Sequence, residues 1–326
     1  MSVLKQLRLF NQINADLKRI ENELIKFVKN SEYPLITDSA THLLAAGGKR
    51  LRPAFALLSG KIYGYQIEKL MPIAMALELI HMASLVHDDV VDASATRRGK
   101  PTVRANWGNT ISMATGDYLL AKSLGLIAMI NNPQVSRILA ETSVQMSQGE
   151  IQQIRASFDV NQSIKQYYYR IKRKTALLIS ASCKLGALVS GAPKREIWAL
   201  GAYGHSLGIA FQIVDDILDL TADQQVLGKP IGGDLRQGIM TLPMIIALKT
   251  SEQKSRLRAL LAKVDKTEDE ILEAIELIKQ TKGIEESRRL VDRYIKKAKN
   301  YLLELPASPT RNALADLAEF VGERKY

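Results

Sequence analysis

Apolar residues along this chain recur at three- and four-residue spacing. In the opening stretch Leu4, Leu7, Phe10, Ile13, Leu17, Ile20, Leu24 and Phe27 fall on one face, the signature of an amphipathic helix. No run of five or more residues alternates strictly between turn signals, so the pattern predicts an all-α chain. Helix breaks are expected at Gly47-Gly48, around Pro72, at Arg98-Gly99-Lys100-Pro101, at Asn131-Asn132-Pro133, at Gly191-Ala192-Pro193, from Gly228 to Gly238, and from Pro306 to Pro309. No long Gly/Ser/Pro linker separates two halves, and one domain over residues 1–326 is expected. Two segments, Met71 to Asp92 and Tyr203 to Asp223, are apolar on nearly every face and belong in the middle of a helical bundle. Each ends in a run of aspartates, which puts acidic groups at the mouth of a central apolar cavity.

Composition narrows what the acidic groups could serve. The 326 residues carry a formal net charge of +11, which calls for an anionic partner. Aromatics make up only 6% and do not interleave with the basic residues as a nucleic-acid stacking platform requires, so no nucleic acid is expected. The one cysteine, Cys183, can form neither an internal disulfide nor a thiolate metal site, which points to a reducing, cytoplasmic setting. No stretch reads as a membrane span or secretory signal, leaving at most a peripheral membrane contact.

The acidic runs are Asp88-Asp89-Val90-Val91-Asp92 and Asp215-Asp216-Ile217-Leu218-Asp219. On a helix Asp88 and Asp92 share a face, as do Asp215 and Asp219. Like charges one turn apart at the end of an apolar helix need a neutralising partner. Magnesium suits such a claw, because it takes one or two carboxylates and fills its remaining shell with water and phosphate oxygens. Basic runs accompany both claws: Gly47-Gly48-Lys49-Arg50-Leu51-Arg52-Pro53, Arg97-Arg98-Gly99-Lys100-Pro101, Arg170 to Lys174, and Lys229. Arginine forks and lysine ammonium groups are the usual ligands of diphosphates. The combination describes a site for a diphosphate head and an apolar tail.

These motifs, GGKRLRP at 47 to 53, HMASLVHDDVVD at 81 to 92, RRGKPT at 97 to 102, GDYLL at 116 to 120, KT at 174 to 175, and FQIVDDILD with GKPIGGDL at 211 to 235, resemble the trans-isoprenyl diphosphate synthase family. The resemblance runs from about Lys5 to the C-terminus. It implies the all-α isoprenoid synthase fold and a magnesium-dependent prenyltransferase that adds isopentenyl diphosphate to an allylic prenyl diphosphate. By resemblance, Lys49, Arg52, His81 and Arg98 bind isopentenyl diphosphate, and Arg97, Lys174, Thr175, Gln212 and Lys229 contact the allylic substrate. Asp88 and Asp92, with Asp215, hold magnesium, and Asp89, Asp216 and Asp219 complete the claws. Catalysis is expected to centre on Asp88, Asp92, Asp215, Lys174 and Lys229.

Small residues at Ala83 and Ser84, just before the first claw, imply a long product. Ile80 and Tyr118 join them as candidate walls of the chain-length tunnel. The stretches THLLAAGGKR and HMASLVHDDV resemble the large subunits of two-component bacterial enzymes that make a heptaprenyl product. That implies menaquinone side-chain supply and either a homodimer or a heterodimer with a small regulatory subunit. Shorter geranylgeranyl or farnesyl products, an octaprenyl product, and a non-catalytic polyprenyl diphosphate-binding subunit are the competing readings. A di-iron bundle needs two Glu-x-x-His pairs, and only Glu78 to His81 fits. A metal phosphohydrolase built on His87-Asp88 leaves the second claw unexplained.

Overall fold

The computed structural model describes residues 11–222 and 231–324. In chain order the helices are α1 (Asn14–Lys29), α2 (Pro34–Ala45), α3 (Leu51–Lys61), α4 (Ile67–Val91), α5 (Val103–Ala128), α6 (Pro133–Arg155), α7 (Ile164–Ile171), α8 (Leu177–Val189) and α9 (Lys194–Thr221). They continue with α10 (Gly233–Arg236), α11 (Leu242–Thr250), α12 (Lys254–Ala262), α13 (Glu268–Lys279), α14 (Gly283–Leu302) and α15 (Pro309–Glu323). A π-helical turn, Lys172–Ala176, joins α7 to α8. The fold is all-α, as the spacing predicts. A two-strand hairpin, β1 (Thr96–Arg97) and β2 (Lys100–Pro101), is the sole sheet among the described residues.

The chain forms two compact units. Among the described residues, the first comprises 11–143, 178–201 and 302–316, and the second 144–177, 202–222, 231–301 and 317–324.

In the first unit α4 packs along α5 and against α3. Leu70, Ile73, Leu77 and Leu79 are completely buried there, each contributing roughly 1.5–3 kcal/mol of burial free energy. The helix also runs through Pro72, where a break is expected. Proline removes only the bond to the carbonyl four residues back, that of Glu68, and Glu68 is exposed in the first turn where water can serve it. Gly186 of α8 lets that helix touch α3, since a Cβ there would stand 2.0 Å from the Ala56 carbonyl oxygen.

The amphipathic first helix is present over its described part. Ile13, Leu17, Ile20 and Leu24 are buried, while Leu4, Leu7 and Phe10 lie outside the described residues. Its last buried position is Val28. Phe27 is half-buried, with the Lys122 ammonium 4.7 Å from its ring centre.

In the second unit α11 is buried along its length and packs on α7, α12 and α13. Of the two long apolar helices, α4 and α9, about two thirds of the most apolar stretch is buried within the fold, which marks both as core helices.

Candidate active site

In the first unit, the hairpin and the glycine loop come together. Arg98 and Gly99 form the two-residue turn between β1 and β2, both with positive φ (55° and 75°), the requirement of a type I′ turn. The turn docks on the end of α2, where Lys100 donates to the Ala45 carbonyl at 2.7 Å and His42 bonds the Pro101 carbonyl at 2.8 Å. The Arg98 guanidinium lies on Gly48, where a Cβ would sit 2.6 Å from its Nη1. Thus GGKRLRP and RRGKPT, forty-odd residues apart, form one cationic surface. Lys49 is exposed on it, and Arg52 lies in the first turn of α3.

Glu78 is a counter-charge of this surface. It is 2% exposed, and its Oε1 accepts from Arg50 Nη1 at 2.8 Å; Arg50 reaches Glu21 as well at 3.1 Å. Burial pushes the Arg52 guanidinium down to about 10, with Glu78 opposing the shift and Arg98 adding to it. His81 is held well below the ordinary imidazole range, first by burial and then by Arg52, Arg98, Arg97 and Arg50. That direction favours the neutral ring, which can donate from one nitrogen and accept at the other. Arg50 and Glu78 were not assigned roles from the sequence. The signal for Glu78 was present, as a single acidic residue in the apolar run from Met71 to Ile80.

The six aspartates divide into two groups. Asp89 is 1% exposed and takes a forked contact from Arg97, with Nη2 to Oδ1 at 2.7 Å and Nε to Oδ1 and Oδ2 at 2.9 and 3.1 Å. Asp216 is 3% exposed, and both its oxygens accept bonds, from Tyr167 Oη at 2.6 Å and Gln212 Nε2 at 2.9 Å. Asp219 accepts from the backbone amides of Gly233 and Asp234 at 3.0 Å each, and so tethers the GGDL segment to α9. Asp89, Asp216 and Asp219, which the resemblance assigns to the claws, thus each hold a neighbouring stretch of chain as well. Arg97, expected at the allylic substrate, has its guanidinium on Asp89 and stays partly exposed. Asp88, Asp92 and Asp215 are all partly exposed. Burial raises the Asp216 carboxyl to about 7, with Tyr167, Gln212 and Arg170 opposing.

His87 precedes the first claw and lies against α5 at Gly116, where a Cβ would stand 2.2 Å from its Nε2. Asp117 is 3.3 Å from the same nitrogen, which gives the Gly-Asp of GDYLL a physical purpose. Tyr118, a candidate tunnel wall, is half-buried on α5. Its hydroxyl donates to the Val28 carbonyl at 2.9 Å, and Lys122 donates to the Asn30 carbonyl at 2.8 Å, so the two close the end of α1. Ile80 and Ala83 are buried on α4, and the half-buried Ser84 returns its hydroxyl to the His81 carbonyl at 2.8 Å.

In the second unit, Lys174 and Thr175 sit in the π-helical turn. Lys174 Nζ is 2.9 Å from Glu150, and the Thr175 hydroxyl donates to Gln212 Oε1 at 2.6 Å. Two other basic residues of that stretch are engaged within the fold: Arg170 is buried on Gln162 and the Met240 carbonyl, and Arg173 stacks on Tyr169, while Lys172 is exposed. Lys229 lies outside the described residues. Arg324 is a contact that the sequence did not reveal. Its Nη1 is 3.0 Å from Asp215 Oδ1, and its guanidinium packs over the Phe211 ring at 4.7 Å.

The donor chemistry fits a hard divalent cation. Asp88, Asp92 and Asp215 offer only carboxylate oxygen, and no group of three or more His, Cys, Asp or Glu among the described residues closes around a metal position. Magnesium accepts such open sites, because water and phosphate oxygens complete its octahedron.

A polyprenyl synthetase family model matches residues 33–278, and the chain belongs to that family. It is a prenyltransferase of the polyprenyl diphosphate synthase class. The chain is 47% identical over 317 residues to heptaprenyl diphosphate synthase component 2 of Bacillus subtilis, covering 97% of this chain and 90% of that protein. Among solved structures it is similar to heptaprenyl diphosphate synthase from Staphylococcus aureus (TM-score 0.90, 36% identity, 96% of this chain and 99% of the other). It is also similar to a polyprenyl synthase from Caulobacter crescentus complexed with calcium and isoprenyl diphosphate (TM-score 0.93, 36% identity, 98% of each chain).

Proposed function

We propose that this chain condenses isopentenyl diphosphate with an allylic diphosphate, farnesyl diphosphate by preference, through to heptaprenyl diphosphate in the cytoplasm. The observation that carries the reading is the cationic surface of Arg52, Arg98, Lys49 and neutral His81. Glu78 and Asp89 are the deeply buried carboxylates beside it, engaged by Arg50 and Arg97, and the cations of the two motifs outnumber them, which suits a diphosphate. A terpene cyclase, which takes no isopentenyl diphosphate, has no use for this surface.

In this reading Arg52 and Arg98 bind the isopentenyl diphosphate, and His81 bonds it without adding charge. Lys174 and Thr175 hold the allylic diphosphate, and Asp88, Asp92 and Asp215 supply carboxylates for magnesium. The metal, when bound, would neutralise the leaving diphosphate and act as a Lewis acid. The allylic C–O bond breaks, the isopentenyl double bond forms the new C–C bond, and the departing diphosphate takes the proton that is lost. No side chain is needed as general base. The two compact units function as one catalytic domain, and the heptaprenyl product supplies the menaquinone side chain. A small regulatory subunit is the expected partner, as the component-2 name of the Bacillus subtilis relative suggests.

The test incubates the purified chain with farnesyl and labelled isopentenyl diphosphates, alone and with a candidate small subunit, and sizes the products. Label entering a heptaprenyl product in magnesium but not in a chelator supports the reading. Incorporation stopping at geranylgeranyl, or running to octaprenyl, corrects the product; none under any condition leaves a polyprenyl diphosphate-binding subunit.

A further inference from the structure

The π-helical turn that carries Lys174 and Thr175 is held more firmly than its length of five residues suggests. Such turns insert one residue into a helix and are poorer in hydrogen-bond geometry, so they persist where the surroundings hold them. Two glycines let neighbouring helices close on it. A Cβ at Gly149 of α6 would stand 2.7 Å from the Arg173 Cβ, and one at Gly208 of α9 would stand 2.6 Å from the Ala176 Cα. A chain of side-chain bonds then ties the turn to α9. Thr175 donates to Gln212 at 2.6 Å, Gln212 to Asp216 at 2.9 Å, and Tyr167 to the other oxygen of Asp216 at 2.6 Å.

Tyr167 belongs to α7, immediately before the turn, so the bonds form a closed loop: out of the helix at Thr175, along one turn of α9, and back at Tyr167. Tyr167 is completely buried, and its hydroxyl meets a buried carboxylate. Because Tyr167 and Thr175, both outside α9, bond Asp216 and Gln212 on it, α9 cannot rotate about its axis without breaking one of these two bonds. That rotation sets where the preceding residue, Asp215, points. The same loop sets where Lys174, the residue before Thr175, begins its reach.

We infer that Tyr167 is a positioning residue for the allylic diphosphate, acting through Asp216 and Gln212 on Asp215 and on the Lys174-Thr175 turn. The inference rests on the proposed reading that these groups handle the allylic substrate. It separates Tyr167 from an ordinary buried tyrosine, whose loss would weaken the whole protein without preferring one substrate.

The experiment is Tyr167→Phe, which removes one oxygen and keeps the ring. Steady-state constants are measured for both substrates, and affinity for a non-ionising allylic thiolodiphosphate is measured by calorimetry in magnesium. The expected result is a loss of about tenfold in allylic affinity by both measures, with the KM for isopentenyl diphosphate within about twofold of wild type. A second variant, Tyr167→Phe with Asp216→Asn, controls for stability, because the neutral amide no longer leaves a charge short of a donor. Its thermal stability is expected to recover while the allylic defect remains. The positioning role is overturned if Tyr167→Phe binds the analogue normally, if both KM values rise together, or if the double variant regains wild-type affinity. A wild-type chain that binds no allylic diphosphate overturns the functional reading and this role with it, an outcome distinct from an unchanged Tyr167→Phe variant.

Discussion

Replacing Glu78 by Gln tests the electrostatic account of the cationic surface. The substitution keeps the shape and removes one negative charge from a side chain that is 2% exposed. The Arg50 guanidinium, whose side chain is only 9% exposed, then loses its 2.8 Å charged contact and keeps only Glu21, which is 42% exposed at 3.1 Å. Breaking a buried pair from one side costs about 3–5 kcal/mol, because the remaining charge is left short of its counter-ion. The surviving Glu21 contact offsets part of that, since a half-exposed ion pair contributes up to about 1 kcal/mol. Arg52 and Arg98 also lose the Coulombic support of Glu78, so the expected destabilisation is about 2–4 kcal/mol. Urea denaturation of Glu78→Gln, Arg50→Gln and the double variant measures it. The double variant is expected to recover much of the loss, because no Arg50 guanidinium is left buried without its counter-ion. A single variant within about 0.5 kcal/mol of wild type, or a double variant as unstable as the two losses added, would refute the reasoning.

Other expectations follow from the same geometry. His81 binds its proton less readily folded than unfolded, so the unfolded state takes up more protons as pH falls below the ordinary 6.5. Its contribution to stability is therefore full above about pH 6.5 and is lost as pH falls toward the depressed folded value; His81→Asn should flatten that acid-side slope in denaturation across pH 4.5 to 7.5, and an unchanged slope would contradict it. Arg324→Gln removes a cation from Asp215, and the apparent affinity for manganese with inorganic pyrophosphate, read by water proton relaxation, should rise about two- to fivefold, as suits a partly exposed pair. Unchanged or weaker binding would show that Arg324 does not compete. Gly116→Ala drives a methyl into the His87 ring and should cost about 1–3 kcal/mol in thermal denaturation along with activity; retention of both would mean that His87 swings away freely. Ala83→Tyr should shorten the product to farnesyl or geranylgeranyl length, and an unchanged chromatographic profile would remove Ala83 from the tunnel wall.

Much of the architecture was legible along the chain because it depends on periodicity. The helices around the two acidic runs follow from spacing alone, and so do the breaks at Pro133, Pro193 and Pro309. Pro72 misled because a proline near the start of a helix costs little when the affected carbonyl is exposed. The partner of the Tyr118 hydroxyl at the end of α1 was not legible, because sequence position does not say which way a phenol points.

The sequence by itself determined that apolar helices end in paired aspartates beside conspicuous arginines, since residue type and helical spacing carry that information without any long-range contact. Only the tertiary structure decided which side chains and amides meet Asp89, Asp215, Asp216 and Asp219. Arg97 turns back through the hairpin to Asp89, Tyr167 reaches Asp216 from α7, the Gly233 and Asp234 amides reach Asp219, and Arg324 reaches Asp215 from the end of the chain. A carboxylate's role depends on which donors surround it and how much water remains, and both are set by folding.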